Sequence, residues 1–187
     1  MVELKKTKNE LIEALSSIEE DEVINCANII KKAFLNGNKV LIAGNGGSAA
    51  DAQHFATELV CTFLKINRPA LPAIALTTNT SILTAWSNDF SFDGVFQRQL
   101  IALGRKGDIY FSISTSGNSP NIIKSMETAK ELSLINILLT GQDGGKAKEF
   151  ADFIIHVKSK NVQRIQECHI FILHQICSII EEDLNVK

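Results

Sequence analysis

Four residues of this chain have the types and spacing of a proton-transfer site. His54 and Glu58 stand four apart in the stretch from Ala49 to Leu59, so a helix there carries both on one face. Ala52, Phe55 and Leu59 fall on a different stripe, which faces a core. Near the other end of the chain, Gln166 and His174 lie two helical turns apart, about 80° around the axis. A carboxylate and an imidazole held together supply a base and an acid. His174 is flanked by Ile172, Leu173 and Ile176, where an unpaired imidazole is costly, so it needs a partner. Taken singly, His54 and Glu58 also read as a surface pair, and His174 as a hydrogen-bonded core histidine. His156 and His169 share no constellation with the other candidates and read as structural.

What such a pair would act on is suggested by two small-residue loops. Gly44-Asn45-Gly46-Gly47-Ser48 follows the apolar run 40–43, and Ser114-Thr115-Ser116-Gly117-Asn118-Ser119 follows the run 109–113. Where a strand hands over to a helix, such loops let backbone N–H groups and hydroxyls converge on a phosphate at the helix N-terminus. A single loop of this kind reads equally as a tight turn with a capping serine, Ser48 or Ser119. The pair offers more hydroxyls than capping requires, which points to a phosphorylated small molecule. No nucleotide cofactor is expected. Ala49 stands where a dinucleotide fingerprint needs its third glycine, and no Gly-Lys-Ser/Thr follows either loop.

The elements that must position these groups are legible as alternating patterns. Apolar residues at helical spacing run from Leu11 to Phe34 and predict one helix over about 8–35, stopped by Asn36-Gly37-Asn38. Five short apolar runs, 39–43, 73–77, 108–113, 134–139 and 153–157, predict strands buried on both faces. Helical patterning fills 48–64, about 79–104, 120–132 and 145–150, and a long amphipathic helix spans about 161–183. The alternation implies an α/β fold, a doubly wound five-stranded parallel sheet with long N- and C-terminal helices. If strands one and three flank the point where strand order reverses, both loops open onto one crevice.

At 187 residues and 45% hydrophobic content the chain supports one domain, taken to span 1–187. A net charge of −2 gives no electrostatic case for nucleic acid. No apolar stretch approaches the roughly 20 residues of a membrane helix, and the start of the chain has no apolar leader. Four scattered cysteines without a CxxC read as reduced thiols, so the expected location is the cytoplasm.

Three stretches, 44–56, 112–119 and 164–170, strongly resemble bacterial phosphoheptose isomerases of the SIS (sugar isomerase) superfamily. Arg68-Pro69, 72–76, Asn88-Asp89-Phe90 and Thr140-Gly141 extend the likeness over nearly the whole chain. The resemblance implies a flavodoxin-like SIS domain that interconverts sedoheptulose 7-phosphate and D-glycero-D-manno-heptose 7-phosphate through an enediol, toward the heptose of lipopolysaccharide and related glycans. It implies that Asn45, Gly46, Gly47, Ser48, Ser114, Thr115, Ser116 and Ser119 hold the substrate and its phosphate. Asn88, Asp89 and Gln166 would contact the sugar, with Glu58 as base and His174 as acid. It further implies one zinc per subunit on His54, Glu58, Gln166 and His174. Two imidazoles and a carboxylate are ordinary zinc donors, and a glutamine oxygen is a weak one. Finally, it implies a homotetramer with active sites at subunit interfaces, assembled in part through the helical segment 1–37.

Two stretches depart from the family pattern. Cys61-Thr62-Phe63 stands where the family has Gly-Arg-Tyr/Phe, and Gln163 stands where an aspartate is common. These changes keep open an isomerase of another sugar phosphate. A binding protein of the same fold, directed at the replication initiator, is the alternative from another class. It lacks the counterparts of Glu58 and His174, which this chain has.

Overall fold

Residues 3–182 are described by a computed structural model. Seven helices surround five strands: α1 (Leu4–Ser16), α2 (Glu20–Leu35), β1 (Val40–Gly44), α3 (Gly47–Val60), β2 (Ala73–Ala75), α4 (Thr80–Asp89), α5 (Val95–Leu103), β3 (Ile109–Ser114), α6 (Pro120–Glu131), β4 (Ile135–Gly141), β5 (Phe153–Val157) and α7 (Val162–Glu182). The strands form one sheet in the order β2-β1-β3-β4-β5, every pair parallel. Strand order therefore reverses between β1 and β3, as the crevice expectation requires.

Alternation along the strands splits the core in two. Val40, Ile42, Ile109, Phe111, Ile113, Ile137 and Leu139 pack under α1, α2, α3 and α7. Leu41, Ala43, Tyr110 and Leu138 face the other way, under α5 and α6. On α3, Ala52, Phe55 and Leu59 are buried, as their stripe predicts. Burying the last two stabilises the docked helix by roughly 3–6 kcal/mol.

Several boundaries differ from the sequence patterns. The single N-terminal helix is two helices. Ser17 tightens the end of α1, its N–H and hydroxyl both donating to Ala14 O, and Glu20, Asp21 and Glu22 start α2 where the dipole favours acidic residues. The stretch 79–104 breaks into α4 and α5 around Ser91, whose hydroxyl accepts from Asp93 N in a short 3-10 turn. The segment 145–150 is also only a 3-10 turn, Lys146–Phe150. Strand β2 is three residues rather than five, and it is not buried on both faces, because it lies at the sheet edge with Ile74 39% exposed. Strand β5 is the opposite edge and begins on an exposed Phe153. The expected end of α7 at residue 183 falls outside the described residues. Among these, no helix is long and apolar enough to cross a membrane.

Candidate active site

The two loops leave the carboxyl ends of adjacent strands, since β1 and β3 pair directly. Gly46, at φ 57°, is the N-cap of α3, and Ser119 is the N-cap of α6, yet neither helix is capped by a side chain. The ordinary capping role for Ser48 and Ser119 therefore does not hold. Ser48 lies buried in the first turn of α3, and Ser119 keeps its hydroxyl free of the helix. Ser114 Oγ accepts from Gly117 N at 3.2 Å, and Ser116 Oγ accepts from Asn118 N at 3.2 Å, so these hydroxyls shape the second loop as well as lining it. Thr115 is half-buried between them. The loop's sharpness depends on Gly117, at φ 62°, where a Cβ would stand 1.9 Å from Gly144 O.

One residue joining the loops was not singled out in the sequence. Asn121, 2% exposed in the first turn of α6, exchanges two hydrogen bonds of 2.9 Å with the Asn45 amide. The reciprocal pair fixes how Asn45 faces the crevice. The Ser-Pro-Asn run at a helix start was the available signal, but only the β1–β3 adjacency makes Asn121 a partner of Asn45.

The proton-transfer candidates converge from α3 and α7. His54 Nε2 and His174 Nε2 are 2.9 Å apart, and Glu58 Oε1 is 3.4 Å from His54 Nε2. At 2.9 Å one imidazole nitrogen donates and the other accepts, according to the tautomer of each ring. His174 is half-buried with Phe63 stacked on it at 5.4 Å, ring to ring, and the His54 ring at 5.0 Å. It is thus a partnered site histidine rather than a core one. Gln166 reaches the first loop: a Cβ on Gly47 would stand 2.6 Å from its Nε2. Asn88 and Asp89 lie exposed at the end of α4, bonded to each other at 2.9 Å, with no hydrogen bond to either loop. Of the two departing positions, Thr62 and Gln163 are both exposed.

Two further ionisable groups lie on the same two helices. Burial lifts the Asp51 carboxyl to about 6, against the pull of the His54 charge. His169, on the core side of α7, is fully buried, and burial lowers its pKa to about 4, with the Thr140 carbonyl opposing slightly. Neither ring nitrogen of His169 makes a well-formed hydrogen bond. Among the described residues no three His, Cys, Asp or Glu already form a metal-holding group. The separations from His54 Nε2, 2.9 Å to His174 and 3.4 Å to Glu58, nevertheless bracket the spacing of about 3.3 Å between donors on one tetrahedral zinc.

A family model described as the SIS domain matches residues 5–141. The phosphoheptose isomerase of Aneurinibacillus thermoaerophilus is 55% identical over 151 residues, 81% of this chain and 76% of that protein. That of Citrifermentans bemidjiense is 47% identical over 190 aligned positions, covering 100% of this chain and 98% of its own. The solved phosphoheptose isomerase of Neisseria gonorrhoeae superposes with a TM-score of 0.89 at 41% identity, covering 96% of this chain and 97% of that one.

Proposed function

The chain belongs to the SIS domain family and, within it, to the phosphoheptose isomerases, and we propose that it interconverts sedoheptulose 7-phosphate and D-glycero-D-manno-heptose 7-phosphate through an enediol. It is a sugar-phosphate isomerase of heptose biosynthesis. The proposed substrate and route toward lipopolysaccharide heptose rest on the likeness to phosphoheptose isomerases, and the proposed chemistry rests above all on one observation. An imidazole pair with a carboxylate beside it is built on α3, the helix that begins at the first phosphate-type loop, and on α7.

In this reading the uncapped starts of α3 and α6, with Ser48, Thr115, Ser116 and Ser119, hold the phosphate. Asn45 and Gln166 orient the sugar hydroxyls. Glu58 as carboxylate removes a proton from C1 of the ketose while His174 donates one to the C2 oxygen. Glu58 then returns its proton to C2 as His174 takes the proton from the C1 hydroxyl, leaving an aldehyde at C1. Asn88 and Asp89 remain proposed sugar contacts. They are exposed and would meet the substrate from outside this crevice, as a neighbouring copy could present them.

Zinc belongs to the proposal because two imidazoles and a carboxylate side by side are ordinary zinc donors. His54, Glu58, Gln166 and His174 would hold it, and when bound it would polarise the carbonyl. A homotetramer is the proposed assembly. Between the α1–α2 pair and α7 lies a groove of about 400 Å³, lined by Leu15, Ile18, Val23, Ile24, Phe171 and Ile179, of a kind a second copy would cover. A cytoplasmic setting suits the four free thiols.

The test is incubation of the purified protein with sedoheptulose 7-phosphate, following the aldose phosphate by NMR, with chelator and added zinc as arms. Formation of the heptose phosphate, abolished in Glu58→Gln, is the expected result. Turnover of a different sugar phosphate instead would move the assignment to that substrate, with the exposed Thr62 and Gln163 as the positions to examine. Light scattering that reads a monomer would overturn the tetramer.

A further inference from the structure

We propose that the buried ion pair Arg68–Glu181 is a positioning device for the reaction, holding the backbone of Glu58 and the ring that stacks on His174 in one register. The inference rests on the isomerase reading above and deepens it. Neither residue touches the loops, and both side chains are buried.

Arg68 works at the end of α3, where the last carbonyls of a helix have no partner of their own. Its Nη1 donates to Leu59 O at 2.8 Å and to Pro69 O at 2.9 Å, and its Nη2 donates to Glu58 O. A guanidinium at this end also complements the negative pole of the helix. The residue carrying the candidate base is therefore gripped by its own carbonyl.

Arg68 Nε binds Glu181 in the last turn of α7. That carboxylate also accepts three consecutive backbone N–H groups: Phe63 at 3.0 Å, Leu64 at 2.7 Å and Lys65 at 2.9 Å. Burial would raise the Glu181 pKa, but the Arg68 bond and these three amides hold it below the usual glutamate range. The segment after α3 is wrapped around this carboxylate, and the wrapping presents Phe63 to His174. On α7, His174 and Glu181 are seven residues apart, hence on one face. One end of that face carries the candidate acid, and the other anchors the segment that packs on it.

Energy alone does not explain the arrangement. A buried pair with every lone pair satisfied is commonly no more stabilising than apolar side chains of equal volume. What apolar side chains would not supply is direction. They cannot hold the Glu58 carbonyl, the Phe63 amide and the end of α7 in fixed relation.

The experiment compares wild type, Glu181→Gln, the charge-free double variant Arg68→Met/Glu181→Leu, and Phe63→Leu, all as full chains. Each is measured for kcat and KM on sedoheptulose 7-phosphate, for thermal unfolding, and for hydrogen exchange at the amides of 63–65. In the pair variants kcat should fall roughly 10- to 100-fold, as small misplacements of catalytic groups do, with KM within about twofold. Amide protection at 63–65 should be lost even where the double variant melts no lower than Glu181→Gln. Phe63→Leu, which leaves the pair in place, should lower kcat while keeping that protection. A folded double variant with kcat near wild type would overturn the proposal, and so would unchanged kcat in Phe63→Leu. Absence of turnover in the wild type would instead overturn the isomerase reading, and the positioning role with it.

Discussion

The proposed binding side and the proposed chemical side of this crevice are built differently. The loops 44–48 and 114–119 are continuous stretches of chain at the ends of paired strands. Their shape follows from local residues: Gly46 at φ 57° and Gly117 at φ 62° turn the chain, and serine hydroxyls brace it. The proposed proton-transfer group is assembled from side chains on α3 and α7, with His54 and His174 120 residues apart in sequence. The first region is preorganised by covalent neighbours and the second by packing. Substitutions in the loops should therefore act on substrate affinity, and substitutions across α3 and α7 on rate.

The largest effect that would sharpen this contrast is Glu58→Gln. It keeps size and packing but removes the proposed base, so kcat should fall about 10²- to 10⁴-fold while KM stays within a few-fold. A rise in KM of the same size would break the division of labour.

Next comes His169, fully buried on the core side of α7. Its native pKa of about 4 lies below the unfolded value of 6.5, so between these pH values only the unfolded chain takes up the proton. Stability should therefore be intact above about pH 6.5, decline as pH falls toward 4, and lose at most on the order of 3 kcal/mol from this group. Urea unfolding at stepped pH measures the slope, and His169→Leu should flatten it. A slope that survives the substitution would trace acid sensitivity elsewhere.

Smaller effects are expected from the loops. Thr115→Ala and Ser119→Ala each remove a hydroxyl proposed to bind a charged phosphate, worth about 1.5–3 kcal/mol, or roughly 10- to 100-fold in KM. The kcat of either variant should stay within a few-fold of wild type. Gly47→Ala probes the seam between the regions, because its methyl would meet Gln166 Nε2 at 2.6 Å. The amide is the end of a flexible side chain and can move aside. Stability should then drop by only about 1 kcal/mol or less, with a few-fold loss in kcat/KM. Full activity there would show that Gln166 plays no part in the site.

Much of this arrangement is readable in the residues. Five apolar runs mark five strands, and small residues after the first and third mark the two loops. The spacing of His54, Phe55, Glu58 and Leu59 assigns one face of α3 to the site and the other to the core. Less legible were features whose partners lie far along the chain. The helix expected over 8–35 breaks at Ser17 in a way that also serves the sheet edge, where Lys158 N donates to Ser17 Oγ at 2.9 Å and His156 N to Glu22 Oε2 at 3.1 Å. The acidic run Glu19–Glu22 was the local signal for a new helix start. The Ser-Pro-Asn run marked a helix start at Asn121 but not its role, and Glu181 had no such mark, because their partners Asn45 and Arg68 come close only when the sheet and α7 are in place.

By itself the sequence determined the alternation of strands and helices, the loop chemistry and which residue types were available for proton transfer. These depend on periodicity, glycine conformation and side-chain pKa ranges, all of which act over a few residues. Only the tertiary structure decided that His54 meets His174, that Asn45 is held by Asn121, and that Glu58 is gripped through Arg68 and Glu181. Those pairings depend on strand order and on the docking of α7 against α3, which bring together side chains that no local periodicity relates.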